Sequence, residues 1–286
     1  MKIKNVGVIG CGTMGSGIVQ VCAQSGYRVI VLEESDELLE KGLEKIKLFM
    51  KKGIEKGKLT EEEMQTAFKR IKGITNIEKL VNCQLVIEAV VENLEIKREL
   101  FAEMDLICPE NTILATNTSS LSIIDIASKT NRKDRILGLH FMNPAPIMKL
   151  VEIVSSIATS VETAKIAKKF IISLGKTVIM AKDTPGFIVN YLQYPFRLNA
   201  IRMLEREVAS KEDIDTAATL ALGHPMGPLT LQDLVGLDIT YSAVKEIYEE
   251  TKDPNFAPPI LLKKMVSAGW LGRKSGKGFY DYTDKK

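Results

Sequence analysis

Histidine is scarce in this 286-residue chain, with only two, and the four cysteines (Cys11, Cys22, Cys83 and Cys108) form no CxxC pair and no Cys/His ligand spacing. This argues against a zinc framework or a disulfide scaffold; the cysteines are expected in the core and no metal is expected. No apolar run exceeds strand length, and glycines and Gln20 interrupt residues 1–25. Neither a membrane span nor a secretory leader is therefore expected, and the expected compartment is the cytoplasm. Thirty-nine basic residues nearly balance 36 acidic ones. The net charge of +3 is too slight to suggest nucleic acid as a partner, although lysine concentrates at residues 41–58.

Apolar β-rich runs at 6–10, 28–33, 85–90 and 112–116 alternate with amphipathic stretches at 14–25, 36–55, 60–70 and 93–106. Such alternation predicts a Rossmann-type α/β fold with a mostly parallel sheet and helices on both faces. Runs at 135–142 and 149–154 are separated only by the Pro-rich turn "NPAPIM", which is too short for a crossover, so they should pair antiparallel. A further strand is expected at 176–181. The character changes at "KDTPGF", and 185–270 reads as helices, one starting near 185–186 and others near 210–222, 228–249 and 258–268. The expected domains are 1–184, nucleotide-binding, and 185–286, all-helical.

The opening "VGVIGCGTMGSGI" places Gly10, Gly12 and Gly15 in a GxGxxG frame directly after a strand and before a helix. In that setting Gly10 allows a tight turn, Gly12 lets backbone approach a pyrophosphate and Gly15 lets helix and strand pack closely. Thr13 and Met14, at the helix start, would offer N–H groups to phosphate. Glu33 closes the second strand, about 20 residues on, where a carboxylate can meet ribose hydroxyls. The cofactor this implies is NAD in preference to NADP.

His224, in "LGHPMGP", reads as a turn or packing residue. His140 ends an apolar strand, and if the hairpin folds about Pro146, His140 and Glu152 are equidistant from the turn and fall opposite each other. An imidazole beside a carboxylate suits general acid–base work. A strand-end histidine paired structurally with a glutamate fits the same two residues equally well.

With "GCGTMGSGI", "VIEAVVENLEIKRELF", "ATNTSSLSI", "GLHFMNPAPIMKLVEIV", "DTPGFIVN", "LGHPMGPLTLQDLVGLD" and "GWLGRKSGKGFYDY", the chain resembles the (S)-3-hydroxyacyl-CoA dehydrogenases, most strongly their short bacterial 3-hydroxybutyryl-CoA members, from residue 6 to residue 282. The resemblance implies an NAD-dependent oxidoreductase of fatty-acid or butanoate metabolism that interconverts a 3-hydroxyacyl-CoA and its 3-ketoacyl-CoA. By the same resemblance, His140 moves the proton of the 3-hydroxyl, with Glu152 as its partner. Ser119 and Asn190 contact substrate, while Glu92, Lys97 and Asn143 lie near the nicotinamide half of the cofactor. Read alone, Ser119 could cap a helix, Asn190 could be an internal helix polar group, and Glu92 and Lys97 could be a solvated loop and helix start.

The resemblance also places coenzyme A along 36–57, with Lys52 and Lys56 at matching positions. A helix there puts Lys45, Lys52 and Lys56 on one face and Leu43, Ile46, Met50 and Ile54 opposite; a solvated stripe is the plain alternative, and Gly53 weakens the helix. Apolar positions such as Ile188, Leu192, Phe196, Ile201 and Leu204, and the pairing of relatives through this domain, lead us to expect a homodimer. The sequence departs from the family pattern in "NYLQYPFRLNAIRMLERE", where Tyr191 replaces an arginine, at Met142, and at Glu33, where an aspartate is usual. A sugar-acid or hydroxyisobutyrate dehydrogenase, which shares the nucleotide fold, is the alternative enzyme, but the latter resembles a scheme with a catalytic lysine, and the His140–Glu152 pairing argues against it. Certain lens crystallins kept the fold without the activity.

Overall fold

The computed structural model describes residues 1–283; the last three residues of the expected helical domain lie outside that description. The chain divides into two compact units, Met1–Phe187 and Ile188–Lys286.

The first unit is built on one eight-stranded sheet: β1 (Asn5–Ile9), β2 (Arg28–Leu32), β3 (Ile71–Ile74), β4 (Leu85–Glu88), β5 (Ile113–Thr116), β6 (Ile136–Phe141), β7 (Leu150–Ser155) and β8 (Thr177–Lys182). Their spatial order is β3-β2-β1-β4-β5-β6-β7-β8. All neighbours are parallel except β6 and β7, which pair antiparallel. The connecting helices are α1 (Thr13–Gln24), α2 (Asp36–Glu55), α3 (Glu61–Phe68), α4 (Leu94–Ile107), the short α5 (Ile123–Ile126) and α6 (Val161–Ser173).

Local chemistry sets these boundaries. The Ser35 hydroxyl accepts Leu38 N–H to start α2, and Thr60 and Glu63 form a reciprocal capping box for α3. Helix α2 buries Leu39, Gly42, Ile46 and Met50 and runs through Gly53 without a break. All four cysteines are buried and free. Burial pushes their thiols up to about 12 for Cys22 and Cys83 and about 11 for Cys108; at Cys11 burial, helped by the nearby Glu33 charge, gives about 12.

Two elements go beyond the sequence reading. Strand β3 is four residues long, interrupted by Lys72 and Gly73, and sits at the sheet edge, where an exposed lysine discourages pairing with another chain. Helix α6, capped by Ser160, is the crossover that lets β7 and β8 run parallel.

The second unit is helical: α7 (Val189–Glu205), α8 (Lys211–Leu220), α9 (Pro228–Val235), α10 (Leu237–Thr251) and α11 (Ile260–Ser267). The single helix expected over 228–249 is two, because Gly236 adopts φ 108°, which an α-helix cannot contain. The last segment docks onto two buried aspartates. Asp233 accepts N–H from Phe279 and Tyr280, both at 2.9 Å, and Asp215 accepts the Tyr280 hydroxyl at 3.0 Å. His224 stacks on Phe196 with ring centroids 4.7 Å apart, a packing role. Ile201 is a core residue, whereas Leu192 is 71% exposed.

Candidate active site

Strands β1, β2, β4, β5 and β6 are mutually parallel, so their carboxyl ends share one edge of the sheet, where open α/β sheets bind ligands. The candidate residues of the first unit other than Lys52 and Lys56 lie at this edge or on the hairpin and loops that continue from it.

Only three residues separate β1 from α1. Gly10 takes φ 89° to make the turn, and Gly12 is the N-terminal flanking residue of α1. Among the described residues no side chain caps this helix start, and its first turn has no acidic residue. Gly12 and Thr13 are exposed, and a methyl group at Gly12 would meet nothing within 4 Å among the described residues. Bare N–H groups, the positive end of a helix dipole and open space together fit an anionic dinucleotide phosphate. Glu33 reaches back to the same turn: its Oε1 accepts the Cys11 N–H in a short contact. This holds the carboxylate beside the glycine loop, where ribose hydroxyls would meet it.

A second cluster forms between β4, α4 and the loop after β5. Lys97 is 1% exposed, with its Nζ 2.5 Å from Glu88 Oε1 and 3.2 Å from Glu92 Oε2. Glu88, fully buried, also accepts Val90 N–H at 2.7 Å and the Thr116 hydroxyl at 2.7 Å. Glu92 Oε1 accepts Ser119 N–H at 2.9 Å, the Ser119 hydroxyl at 3.4 Å and the Thr118 hydroxyl. Partial burial works to raise the Glu92 carboxyl, but the Lys97 charge and the hydrogen bonds from Thr118 and Ser119 outweigh it and hold the group below the ordinary carboxylate range. Lys97 is thus no solvated helix start; two carboxylates fix it. Glu88 went unremarked in the sequence, although an acid closing an all-buried strand was the signal to look for.

The third cluster is the β6–β7 hairpin. His140 stands directly across from Glu152 in the register, with Nδ1 2.6 Å from Glu152 Oε2. Both are buried, and the Phe187 ring packs edge-on against the imidazole at 5.6 Å between centroids. A carboxylate at Nδ1 takes the ring proton there as its hydrogen bond and leaves Nε2 as the nitrogen that exchanges a proton. Asn117 Oδ1 accepts Phe141 N–H at 3.0 Å, tying the strand end to the Ser119 loop. Asn143 lies exposed two residues beyond β6, in a turn held by Lys176, whose Nζ donates to the carbonyls of Ala145 and Met148 at 2.7 Å each.

Lys52 and Lys56 are exposed at the carboxyl end of α2, Lys56 being its capping residue, and neither bonds to these clusters among the described residues. Asn190 belongs to the second unit, one residue into α7, buried and accepting Gln193 Nε2–H at 2.8 Å.

The chain is similar to known proteins along nearly its whole length. Residues 5–184 match the family model described as 3-hydroxyacyl-CoA dehydrogenase, NAD binding domain, and residues 186–282 match its C-terminal domain. A probable 3-hydroxybutyryl-CoA dehydrogenase of Bacillus subtilis is 44% identical over 285 residues, covering 100% of this chain and 99% of the relative. The mitochondrial hydroxyacyl-coenzyme A dehydrogenase of Homo sapiens is 45% identical, covering 98% and 91%. Among solved structures, the (S)-3-hydroxybutyryl-CoA dehydrogenase PaaH1 of Ralstonia eutropha matches with a TM-score of 0.96 at 41% identity, covering 99% of this chain and 100% of that one. The chain, with its NAD-binding Rossmann-type domain and helical C-terminal domain, belongs to the 3-hydroxyacyl-CoA dehydrogenase family.

Proposed function

We propose that the protein interconverts short-chain (S)-3-hydroxyacyl-CoA and 3-ketoacyl-CoA, 3-hydroxybutyryl-CoA and acetoacetyl-CoA foremost, in the cytoplasm. The observation that carries this is the His140–Glu152 pair, 2.6 Å apart at the sheet edge onto which the glycine turn also opens. His140 Nε2 takes the 3-hydroxyl proton in oxidation and returns it in reduction. Glu152 holds the ring tautomer and stabilises the imidazolium. Ser119 and Asn190 donate hydrogen bonds to substrate oxygens as charge develops on them. NAD, when bound, supplies the hydride acceptor or donor. Gly10, Gly12, Thr13, Met14, Gly15 and Glu33 hold its adenosine and pyrophosphate; Glu92, Lys97 and Asn143 serve the nicotinamide half. In this reading residues 1–184 bind cofactor and carry the acid–base pair, and 185–286 serve substrate and dimer.

Loss of NADH absorbance on adding acetoacetyl-CoA tests the reading. No enzyme-dependent loss with acetoacetyl-CoA or longer 3-ketoacyl-CoA esters would overturn it. The same assay should favour NADH over NADPH, because the Glu33 carboxylate beside the glycine turn repels a 2′-phosphate. Equal efficiency with both cofactors would contradict the role given to Glu33.

Coenzyme A is assigned to the outer face of α2. Lys45, Lys52 and Lys56 are exposed there, and Leu48, 57% exposed, lies between the first two on the same face. An apolar side chain set among cations suits a ligand that carries both a base and phosphates. Replacing Lys52 and Lys56 by glutamate should raise the KM for acetoacetyl-CoA by roughly tenfold or more, on the order of 1 kcal/mol for each phosphate deprived of its cation. NADH affinity and the KM for an N-acetylcysteamine thioester should stay as they were. Equal losses on both substrates would show that these lysines act through stability, and no loss on either would return them to a solvated surface.

The second unit exposes Leu192, Leu220, Leu222, Ile239 and Ile260, each by more than half, apolar side chains of the kind a subunit contact would cover. Light scattering at micromolar concentration should give the mass of a homodimer joined through this unit. A monomer mass would count against it.

A further inference from the structure

The segment of α7 that departs from the family pattern does more than replace an arginine at Tyr191: it also supplies Gln193 and Arg197, which stand with Asn190 on one helix face at spacings of three and four residues. The three side chains form a chain of hydrogen bonds whose far end is anchored on α10. Arg197 is 2% exposed; its Nη2 donates to Thr240 Oγ1 at 2.8 Å and its Nη1 to Gln193 Oε1 at 3.4 Å. Gln193 Nε2 then donates to Asn190 Oδ1 at 2.8 Å. Gln232, from α9, donates to the Arg197 backbone carbonyl at 3.2 Å and fastens the middle of the helix.

The direction of this chain follows from chemistry alone. An amide side chain can be turned end for end without a change of shape, and only its neighbours decide which end is oxygen. A guanidinium has five donors and no acceptor, so the atom of Gln193 that faces Arg197 must be the carbonyl oxygen. The Gln193 amino group is then the atom left to face Asn190, and the Asn190 atom facing it must in turn be oxygen. The amino group of Asn190 is thereby the end turned away from Gln193.

We propose that Gln193 and Arg197 are positioning residues, which fix the amide of Asn190 so that it offers hydrogen-bond donors to the substrate. This rests on the reading above that Asn190 meets the substrate oxygens. A donor whose orientation is set before substrate arrives needs no reorganisation during the reaction, and that is the condition under which such a group lowers a barrier.

Gln193→Glu and Gln193→Leu separate positioning from mere support. Glutamate has nearly the shape of glutamine and pairs more strongly with Arg197, so a structural role predicts that it is the milder change. For positioning the order reverses. The carboxylate cannot donate to Asn190 Oδ1 and turns the Asn190 amino group toward itself, presenting oxygen to the substrate, whereas leucine only releases the amide. With acetoacetyl-CoA and NADH, Gln193→Glu should melt at or above the parent's temperature and bind NADH as the parent does. Its kcat should be about tenfold lower or more, within the range seen when one donor to a developing oxyanion is removed. Gln193→Leu should lose less. A Gln193→Glu enzyme as active as the parent, or more active than Gln193→Leu, overturns the proposal. Asn190→Ala is the reference: if it keeps the parent's kcat, the substrate role of Asn190 itself fails, and if it is impaired while Gln193→Glu is not, only the positioning fails.

Discussion

Replacing His140 by alanine is expected to lower turnover by roughly two to four orders of magnitude, the range for loss of a positioned acid–base group, with NADH affinity unchanged. The nitrogen that does the work is Nε2, because Nδ1 is engaged by Glu152 at 2.6 Å. Alanine also takes away the donor that faces a fully buried carboxylate, so a cost in stability accompanies the cost in chemistry. His140→Asn separates the two effects: its amide places an N–H close to the Nδ1 position and keeps a partner for Glu152, but no atom remains that can accept a proton. Asparagine should therefore restore the melting temperature and leave turnover as low as alanine does. A folded variant of either kind that turns over acetoacetyl-CoA near the parent's rate would remove His140 from the chemistry.

What could be read in the sequence, and what could not, divides along physical lines. The facing of His140 and Glu152 follows from counting outward from a short turn, because a hairpin's register is set by its loop. The glycine turn was legible because strand, glycines and helix are contiguous and each needs the next. Strand β3 was not, since four residues with Lys72 and Gly73 among them carry no alternation, and an edge strand gains its pairing from the neighbour it lies against. Gly236 inside an apolar periodicity gave no warning that it would take a left-handed φ. Ile201 looked like surplus apolar surface because α7 is apolar on more than one side, and only packing decides which side is core. The support of the site was the hardest to foresee. Arg197 and Lys176 act through partners 43 and 28–31 residues away, and no local pattern marks such pairings; at Glu88 the acid closing an apolar strand was the one signal, and it did not name its partner Lys97.

The glycines of the first turn offer the sharpest separation between fold and binding, because two of them should fail in opposite ways. At Gly15 a methyl group would lie 1.9 Å from the carbonyl oxygen of Gly10 and 2.8 Å from its carbonyl carbon. Those are backbone atoms of the tight turn itself and cannot swing aside as the end of a side chain would, so α1 must move away from β1. Gly15→Ala should therefore lose stability by about 1–3 kcal/mol or more, the cost of an overpacked site, and lose NADH binding with it as the turn opens. At Gly12 a methyl group meets nothing within 4 Å among the described residues, and the backbone, at φ −68°, is open to other residues. Gly12→Ala should melt as the parent does. Its methyl group would instead stand where a pyrophosphate must come within hydrogen-bonding distance of the N–H groups of α1. Removing one or two charge-assisted bonds of about 1.5–3 kcal/mol each weakens NADH binding by roughly tenfold or more. Thermal melts paired with NADH fluorescence titrations read both quantities on each variant. Parental NADH affinity in Gly12→Ala would show that the dinucleotide does not lie against this turn, and a parental melt for Gly15→Ala would show that α1 and β1 are not packed as closely as their backbone separation requires.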